Sequence, residues 1–148
     1  MKLRRDCVKV RVLQNHLIHH QNREECRMNK RRVGSVYEEK AAEYLEKNGY
    51  RILKRNFRCR RGEIDLIASG KEGADSVLVF IEVKYRLSDS IGRPEEAVTP
   101  LKMKNICRTA DYYRICNGIP EDRTCRFDVI AIQGDNLRHY KNAFPYVQ

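Results

Sequence analysis

Residues 77–86 read VLVFIEVKYR, a run of β-branched and apolar residues that is typical of a buried strand. Side chains alternate between the two faces of a strand, so Glu82 and Lys84 share one face and Ile81 and Val83 share the other. Buried charges destabilise a fold unless a partner compensates for them. The two charges on this strand therefore indicate either a site or a paired structural cluster.

A second apolar strand, EIDLIA at residues 63–68, also carries an acid. Alternation predicts one face with Glu63, Asp65 and Ile67, and another face with Ile64, Leu66 and Ala68. The polar segment 70–76 predicts a turn that is short enough for the two strands to pair antiparallel. We therefore expect Asp65, Glu82 and Lys84 to converge on one face.

Two carboxylates at one place repel each other and raise a pKa, and a divalent cation would relieve this. Mg²⁺ is typically held by one or two carboxylates together with waters and substrate phosphates, and Mn²⁺ is the alternative ion. A neighbouring lysine such as Lys84 would stabilise developing charge on a phosphate or position an attacking water. These residues together predict a site that cleaves phosphodiester bonds.

Residues 35–48 are predicted to form a helix that begins at Ser35 and ends before Gly49. Glu38 shares a face with Ala41, Ala42 and Leu45, so it is the acid directed toward the core. Two roles remain open for Glu38, which are a third metal ligand and the acid of a capping box with Ser35. The two roles can coexist.

The remaining pattern predicts an α/β protein with the element order αβββαβ. Residues 50–57 predict the first strand, and residues 87–97 an irregular loop. Thr99-Pro100 begins a second helix, whose apolar positions recur at helical spacing. Residues 125–132 predict a further strand, and LRHYKNAF at 137–144 leaves room for one more. We expect a sheet that is flanked by helices.

Candidate phosphate-binding residues lie in the basic segment 51–61, which contains no acid, and at the start of the second helix. They are Arg58, Arg60, Arg61 and Lys102. For the arginines the alternative is a solvated edge strand and turn, and for Lys102 it is a surface lysine packed along its stem. Asp128, in the last predicted strand, is interpreted as a structural hydrogen-bond acceptor in preference to a further acid of the site.

The net charge of +10 is unevenly distributed. Residues 1–33 carry 10 of the 30 Lys and Arg but 3 of the 20 Asp and Glu, and therefore most of the excess. We interpret 1–33 as a flexible basic extension and 34–148 as the domain. The extension is either a tail of the natural protein or sequence that precedes a start at Met28.

Neither a transmembrane run nor a signal-peptide core is evident, so no membrane association and a cytoplasmic location are expected. The six cysteines form no CxxC pair, and reduced structural thiols are favoured over disulfides. A zinc site formed by His16, His19, His20 and Cys26 is a weak alternative, since no second ligand pair follows.

The sequence also resembles a known family. Its matching segments are YEEKAAEYLEKNGYRILKRNFRCRRGEIDLIA (37–68), VFIEVKYR (79–86), GRPEEAVTPLKMKNICRTADYY (92–113) and RFDVIAI (126–132), followed by HYKNAF. They resemble the YraN family, an uncharacterised bacterial family of predicted endonucleases. The order of a helical acid, a strand Asp and Glu-x-Lys resembles the PD-(D/E)xK nuclease superfamily and archaeal Holliday-junction resolvases. The resemblance covers about residues 34–148.

The resemblance implies a restriction-endonuclease-like fold with a central mixed sheet between helices. It implies metal ligation by Asp65 and Glu82, catalytic support by Lys84, and a matching helix acid at Glu38. Tyr37 stands where the family usually has glycine. The expected function is a Mg²⁺- or Mn²⁺-dependent endonuclease acting on DNA, branched or damaged DNA included, and a symmetric dimer would suit a two-strand cut. The alternatives are a non-catalytic nucleic-acid-binding protein and an RNA- or ribosome-associated protein acting through residues 1–33.

Overall fold

A computed structural model of the chain describes residues 33–85 and 98–148. The elements are α1 (33–47), β1 (Arg51–Cys59), β2 (Gly62–Glu72), β3 (Asp75–Tyr85), α2 (Pro100–Cys116), β4 (Cys125–Gln133) and β5 (Asn136–Tyr140). Residues Tyr37–Gln148 form one compact unit. Of the other unit, Met1–Val36, the described part is the helical segment 33–36. The predicted extension 1–33, apart from its last residue, and the predicted loop 87–97 lie outside the described residues.

The five strands form one mixed sheet in the order β1-β2-β3-β4-β5. All neighbouring strands are antiparallel except β3 and β4, which run parallel. A parallel pair requires a crossover connection, and α2 lies between these two strands in the sequence. The α/β class and the αβββαβ order are therefore confirmed, and the optional last strand is present as β5.

Each face of the sheet packs against one helix. On one face, Ile106, Ala110 and Tyr113 of α2 join Phe80 and Phe127 in a buried cluster. On the opposite face, the buried side chains of α1 pack against those of β2 and β3. They are Ala41, Ala42 and Leu45 from the helix and Leu66, Ala68, Val79 and Ile81 from the sheet. A mixed sheet between two helices is compatible with the restriction-endonuclease-like fold.

The end of α1 agrees with the sequence prediction and its beginning does not. Gly49 has a φ of +82°, and the N–H of Tyr50 donates to the carbonyl of Leu45 at 3.0 Å, which together close the helix. Residues 33 and 34 are already helical, so Ser35 lies inside the helix and the predicted N-cap is wrong. The capping-box role predicted for Glu38 is therefore also wrong, because a capping box requires Ser35 at the start of the helix.

The hairpin of β2 and β3 is longer than predicted. Most of the predicted turn 70–76 belongs to the ladder, which continues to the pair Glu72 and Asp75. The reversal occurs at Gly73, whose φ of +63° suits a tight two-residue connection. Gly70 lies within the ladder against Tyr50, where an added Cβ would come within 2.6 Å of the ring.

The predicted alternation of β2 is wrong at Ile64. Leu66 and Ala68 pack toward α1, as one face, but Ile64 packs with Ile67 in the cluster beneath α2. The β2–β3 ladder begins only at Leu66, so the alternation breaks at Asp65. This irregularity is what separates Asp65 from the regular part of the sheet.

Candidate active site

Asp65 lies at the point where the β2–β3 ladder ends. Its Oδ2 accepts a hydrogen bond of 2.7 Å from the backbone N–H of Val83. Leu66 is the first residue of β2 that pairs with β3. Beyond this point the side chain of Asp65 supplies the acceptor for the backbone N–H of Val83. Because Val83 separates Glu82 from Lys84, this bond fixes Asp65 beside both charged residues of β3.

The surroundings of Asp65 disfavour its ionised form. Burial, followed by the negative charge of Glu82, raises the pKa of Asp65 to about 7. The hydrogen bond from Val83 and the charge of Lys102 act in the opposite direction, and Glu38 adds a smaller upward contribution. Asp65, Glu82 and Glu38 are therefore close enough to interact electrostatically, as the sequence analysis expected.

Glu82 lies between two lysines and is 4% exposed. The Nζ of Lys84 is 2.8 Å from Oε1, and the Nζ of Lys102 is 3.2 Å from Oε2. The second contact lacks hydrogen-bond geometry, and Oε2 has no hydrogen-bond partner among the described residues. Lys102 thus reaches the site from the first turn of α2, where Thr99 caps the helix.

Glu38 reaches the site region through a residue that the sequence analysis missed. The Nδ2 of Asn56 in β1 donates to Glu38 Oε2 at 2.7 Å. Asn56 has a φ of +51°, a conformation that Asn tolerates better than most residues. The β1–β2 register places it between the partners of Ile64 and Leu66, hence across from Asp65. In the sequence, an asparagine within a basic strand was the feature that could have drawn attention to Asn56.

Tyr37, at the position where the resembled family has glycine, is accommodated beside the site. Its ring stacks on that of Tyr85 with the centroids 3.8 Å apart and the planes at 16°. Tyr85 follows Lys84 directly in β3. The larger side chain therefore packs along the end of β3.

Asp128 is not part of this site. Asp128 is fully buried. It accepts hydrogen bonds from Arg126 at 2.8 and 2.9 Å and from the backbone N–H of Asn142 at 2.9 Å. Its Oδ2 also lies 2.8 Å from His139 Nε2. Burial alone would raise the pKa of Asp128, but the hydrogen bonds of His139 and Arg126 outweigh it and hold the pKa below its usual value. The structural role expected for Asp128 is confirmed.

Of the predicted phosphate-binding arginines, Arg58 lies near the end of β1, and Arg60 and Arg61 form the turn between β1 and β2. Arg58, Arg60 and Arg61 are all exposed, and Arg58 pairs with Glu63 at 3.2 Å. Lys102 is 27% exposed and binds Glu82, so it is more than a surface lysine. Lys102 belongs to the acidic cluster, whereas the arginines form a separate basic surface.

The cluster can be tested for its fit to a divalent cation. Within residues 33–85 and 98–148, no three His, Cys, Asp or Glu side chains meet in a metal-binding arrangement. Mg²⁺ nevertheless requires only one or two carboxylates with waters. Asp65 and Glu82 provide these, and the buried Oε2 of Glu82, lacking a hydrogen-bond partner, is an oxygen suited to a cation. Asp65 and Glu82 therefore fit a site for a divalent cation.

Comparison with known proteins gives the family. Residues 37–132 match the family described as Uncharacterised protein family UPF0102. The chain belongs to this family, which is the YraN family. It is 48% identical to a UPF0102 protein of Lachnoclostridium phytofermentans over 117 residues, covering 79% of this chain and 96% of the relative. A Caldicellulosiruptor saccharolyticus relative is 47% identical over 123 residues, covering 79% of this chain and all of the relative.

A third relative shows a similar match. A UPF0102 protein of a Sulfurihydrogenibium species is 40% identical over 117 residues, covering 79% of this chain and 97% of the relative. The resemblance drawn from the sequence motifs is therefore confirmed at the level of the family.

None of the helices in the described part of the chain is long and apolar enough to span a membrane. The four cysteines described, Cys59, Cys107, Cys116 and Cys125, are free thiols.

Proposed function

We propose that this protein is a metal-dependent endonuclease that hydrolyses phosphodiester bonds in DNA. The observation that carries the proposal is the meeting of Asp65, Glu82 and Lys84 where the β2–β3 ladder ends, with Glu82 Oε2 buried and without a hydrogen-bond partner among the described residues. A carboxylate pair that can hold a divalent cation, beside a lysine, suits metal-assisted hydrolysis of a phosphodiester bond.

Asp65 and Glu82 would hold the cation, and Glu38, oriented by Asn56, would supply a third carboxylate. When bound, Mg²⁺ or Mn²⁺ would supply an activated water and offset the charge of the scissile phosphate. Lys84, fixed on Glu82 Oε1, would position the water or stabilise the negative charge that develops on the phosphate. Lys102 would bind a phosphate oxygen of the substrate.

The proposal places the protein in the cytoplasm, where its DNA substrate is found. A cut in both strands would require two active sites, which a symmetric dimer would provide. The wider proposal that branched or damaged DNA is the substrate follows from the resemblance to the resolvases.

A non-catalytic nucleic-acid-binding protein is the second candidate function. The observation that favours it is the contact of both Lys84 and Lys102 with Glu82, because such an ion cluster can also serve structure alone. In that case the charges on β3 would neutralise one another, and only the basic surface would contact nucleic acid. The two candidates differ in whether Asp65 and Lys84 are required for bond cleavage.

Cleavage of labelled single-stranded, duplex, flapped and four-way-junction DNA in Mg²⁺, Mn²⁺ or EDTA tests the proposal. Asp65→Asn retains an acceptor for Val83, and Lys84→Met retains the stem of the side chain. Asp75→Asn and Lys71→Met, on the exposed hairpin end of the same two strands, are matched controls. We expect metal-dependent cutting by the wild type and both controls, and none by the two site variants. Binding without cutting in all five folded proteins would favour the second candidate.

A further inference from the structure

A basic groove lies between the β1–β2 turn and α2. It has a volume of about 610 Å³ and is lined by Arg58, Cys59, Arg60, Arg61 and Tyr112. Among the described lining residues, Arg58, Arg60 and Arg61 each carry a guanidinium, and Tyr112 contributes an aromatic ring. The cluster of Asp65 and Glu82 uses none of these side chains.

The strand ends on either side of the turn pack closely against α2, which fixes the backbone from which the arginines project. A Cβ at Gly62 would lie 3.1 Å from the Oγ1 of Thr109, which means that the backbone of the turn packs directly on the helix. Cys59 Sγ contacts the same Oγ1 at 3.8 Å. Close packing of this kind limits the freedom of the segment that carries the arginines.

Tyr112 is positioned as an aromatic platform. Its side chain is 47% exposed, and its ring stacks on Phe57 with the centroids 6.4 Å apart and the planes at 29°. Phe57 is itself anchored edge-on to Tyr113, a residue of the core. The ring of Tyr112 is thus supported from below by the core while it lines the groove.

The charge of the groove is largely uncompensated. Glu63 pairs with Arg58, but Arg60 and Arg61 have no ion-pair partner within the part of the chain that the structure describes. Exposed arginines beside an exposed aromatic ring are the combination that binds single-stranded nucleic acid, through phosphates and base stacking. A paired base cannot present its face to such a ring, because both faces are stacked within the duplex.

We propose that this groove binds an unpaired nucleotide of the substrate, with its base stacked on Tyr112 and its flanking phosphates bound by Arg60 and Arg61. The inference rests on the proposed function and assigns its substrate class, namely DNA with an unpaired segment beside the cut. Arg61 precedes Asp65 by four residues in the same hairpin, a reach of about 13 Å along an extended chain. That distance corresponds to about four nucleotides of a stacked strand.

The test is a binding measurement in EDTA, where no cleavage interferes. Fluorescence anisotropy compares a labelled single-stranded oligonucleotide with a duplex of the same sequence at fixed salt. The variants are Tyr112→Leu, Tyr112→Phe and, as a control, Tyr146→Leu. Tyr146 is 49% exposed and lies with its ring centroid 6.4 Å from that of Phe127, so it matches Tyr112 in exposure and in packing.

We expect Tyr112→Leu to weaken single-strand binding roughly 5- to 100-fold, the loss for one stacked base, and to change duplex binding less than about twofold. Tyr112→Phe, which keeps the ring, should bind like the wild type, and so should Tyr146→Leu. Replacing Arg60 and Arg61 with Gln should reduce the salt dependence of single-strand binding.

Three results would overturn the inference, namely equal losses for Tyr112→Leu and Tyr146→Leu, equal losses on single strand and duplex, and no single-strand binding by the wild type. Failure of the nuclease proposal is distinguishable from failure of this inference. A wild type that cuts DNA while Tyr112→Leu keeps full single-strand affinity refutes the groove alone. Single-strand binding that depends on Tyr112, in a protein that never cuts, refutes the nuclease alone.

Discussion

The carboxylate of Asp65 accepts a 2.7 Å hydrogen bond from the backbone N–H of Val83, the residue between Glu82 and Lys84. One bond thus joins the break in the β2–β3 ladder to the two charged side chains of β3. The same environment raises the pKa of Asp65 to about 7, first through burial and then through the charge of Glu82. As a hydrogen-bond acceptor, Asp65 therefore stabilises the fold, whereas its ionised carboxylate destabilises the fold.

Asp65→Asn should be more stable than both the wild type and Asp65→Ala. Asn keeps an acceptor for Val83 and removes the charge, so at pH 8 in EDTA we expect it to raise the free energy of unfolding by about 2–4 kcal/mol, the upper end corresponding to the full rise of the Asp65 pKa to about 7. Ala leaves the N–H of Val83 without its acceptor and should unfold more easily than Asn by about 1–3 kcal/mol. Urea denaturation measures both.

The raised pKa of Asp65 determines how the stability of the wild type changes with pH. The folded pKa of Asp65, about 7, is raised above its ordinary value of 3.8, so its favourable contribution is complete below about pH 4 and is lost as the pH rises through 7. The advantage of Asp65→Asn over the wild type should therefore grow between pH 5 and 8. An advantage that is independent of pH would show that Asp65 titrates normally.

The site was predictable from the sequence where regular geometry decides it. Alternation on β3 placed Glu82 and Lys84 together, and the short connection placed Asp65 against them. Ile64 was assigned to the wrong face, because alternation fails where the ladder is irregular, and composition does not reveal such an irregularity. Ser35 was misjudged because its pattern with Glu38 resembles a helix start, although residues 33 and 34 are already helical.

Contacts between side chains of distant elements were not predictable. The bond from Asn56 to Glu38 joins β1 to α1, and the contact of Lys102 with Glu82 joins α2 to β3. Both depend on the distance between packed elements, which periodicity does not encode. The groove beside Tyr112 is a further example, since the arginines were identified from their clustering but the aromatic ring comes from a helix far along the chain.

Lys102→Ala should strengthen cation binding. The ammonium of Lys102 lies 3.2 Å from Glu82 Oε2, the oxygen we assign to the cation, so it competes for that position. We expect Mn²⁺ to bind between about three- and tenfold more tightly to the variant, while DNA binds more weakly. Isothermal calorimetry with the metal alone measures the first effect. Lys104→Ala, on the same turn of α2, should change neither, and an unchanged Mn²⁺ affinity in Lys102→Ala would contradict the assignment.

Asn56→Gly tests whether Glu38 belongs to the site. Glycine accepts the φ of +51° without strain but removes the amide that holds Glu38. Loss of a group that orients a ligand should lower metal affinity and cleavage rate about tenfold. Asn142→Gly is the matched control, because Asn142 has a φ of +52° and bonds to Asp128 through its backbone. Equal activities of the two variants would leave Glu38 outside the site.

Asp128→Ala should be far more destabilising than any site variant. Asp128 is fully buried, and its removal leaves Arg126, 7% exposed, without its principal partner. Breaking a buried ion pair from one side destabilises by about 3–5 kcal/mol. Asp135→Ala, which breaks the exposed pair with Lys40, should change the free energy of unfolding by less than about 0.5 kcal/mol. A small effect of Asp128→Ala in urea denaturation would contradict a structural role.

The pH dependence of the Asp128 contribution should run opposite to that of Asp65. Burial would raise the pKa of Asp128, but His139 and Arg126 hold it below its usual value, so its contribution is complete above the unfolded pKa of about 4. It is lost as the pH falls through the still lower folded pKa. The stability difference between the wild type and Asp128→Asn should therefore stay level from pH 6 to 5 and shrink below pH 4. A difference that widens in acid, measured by urea denaturation, would mean that Asp128 is protonated in the folded protein.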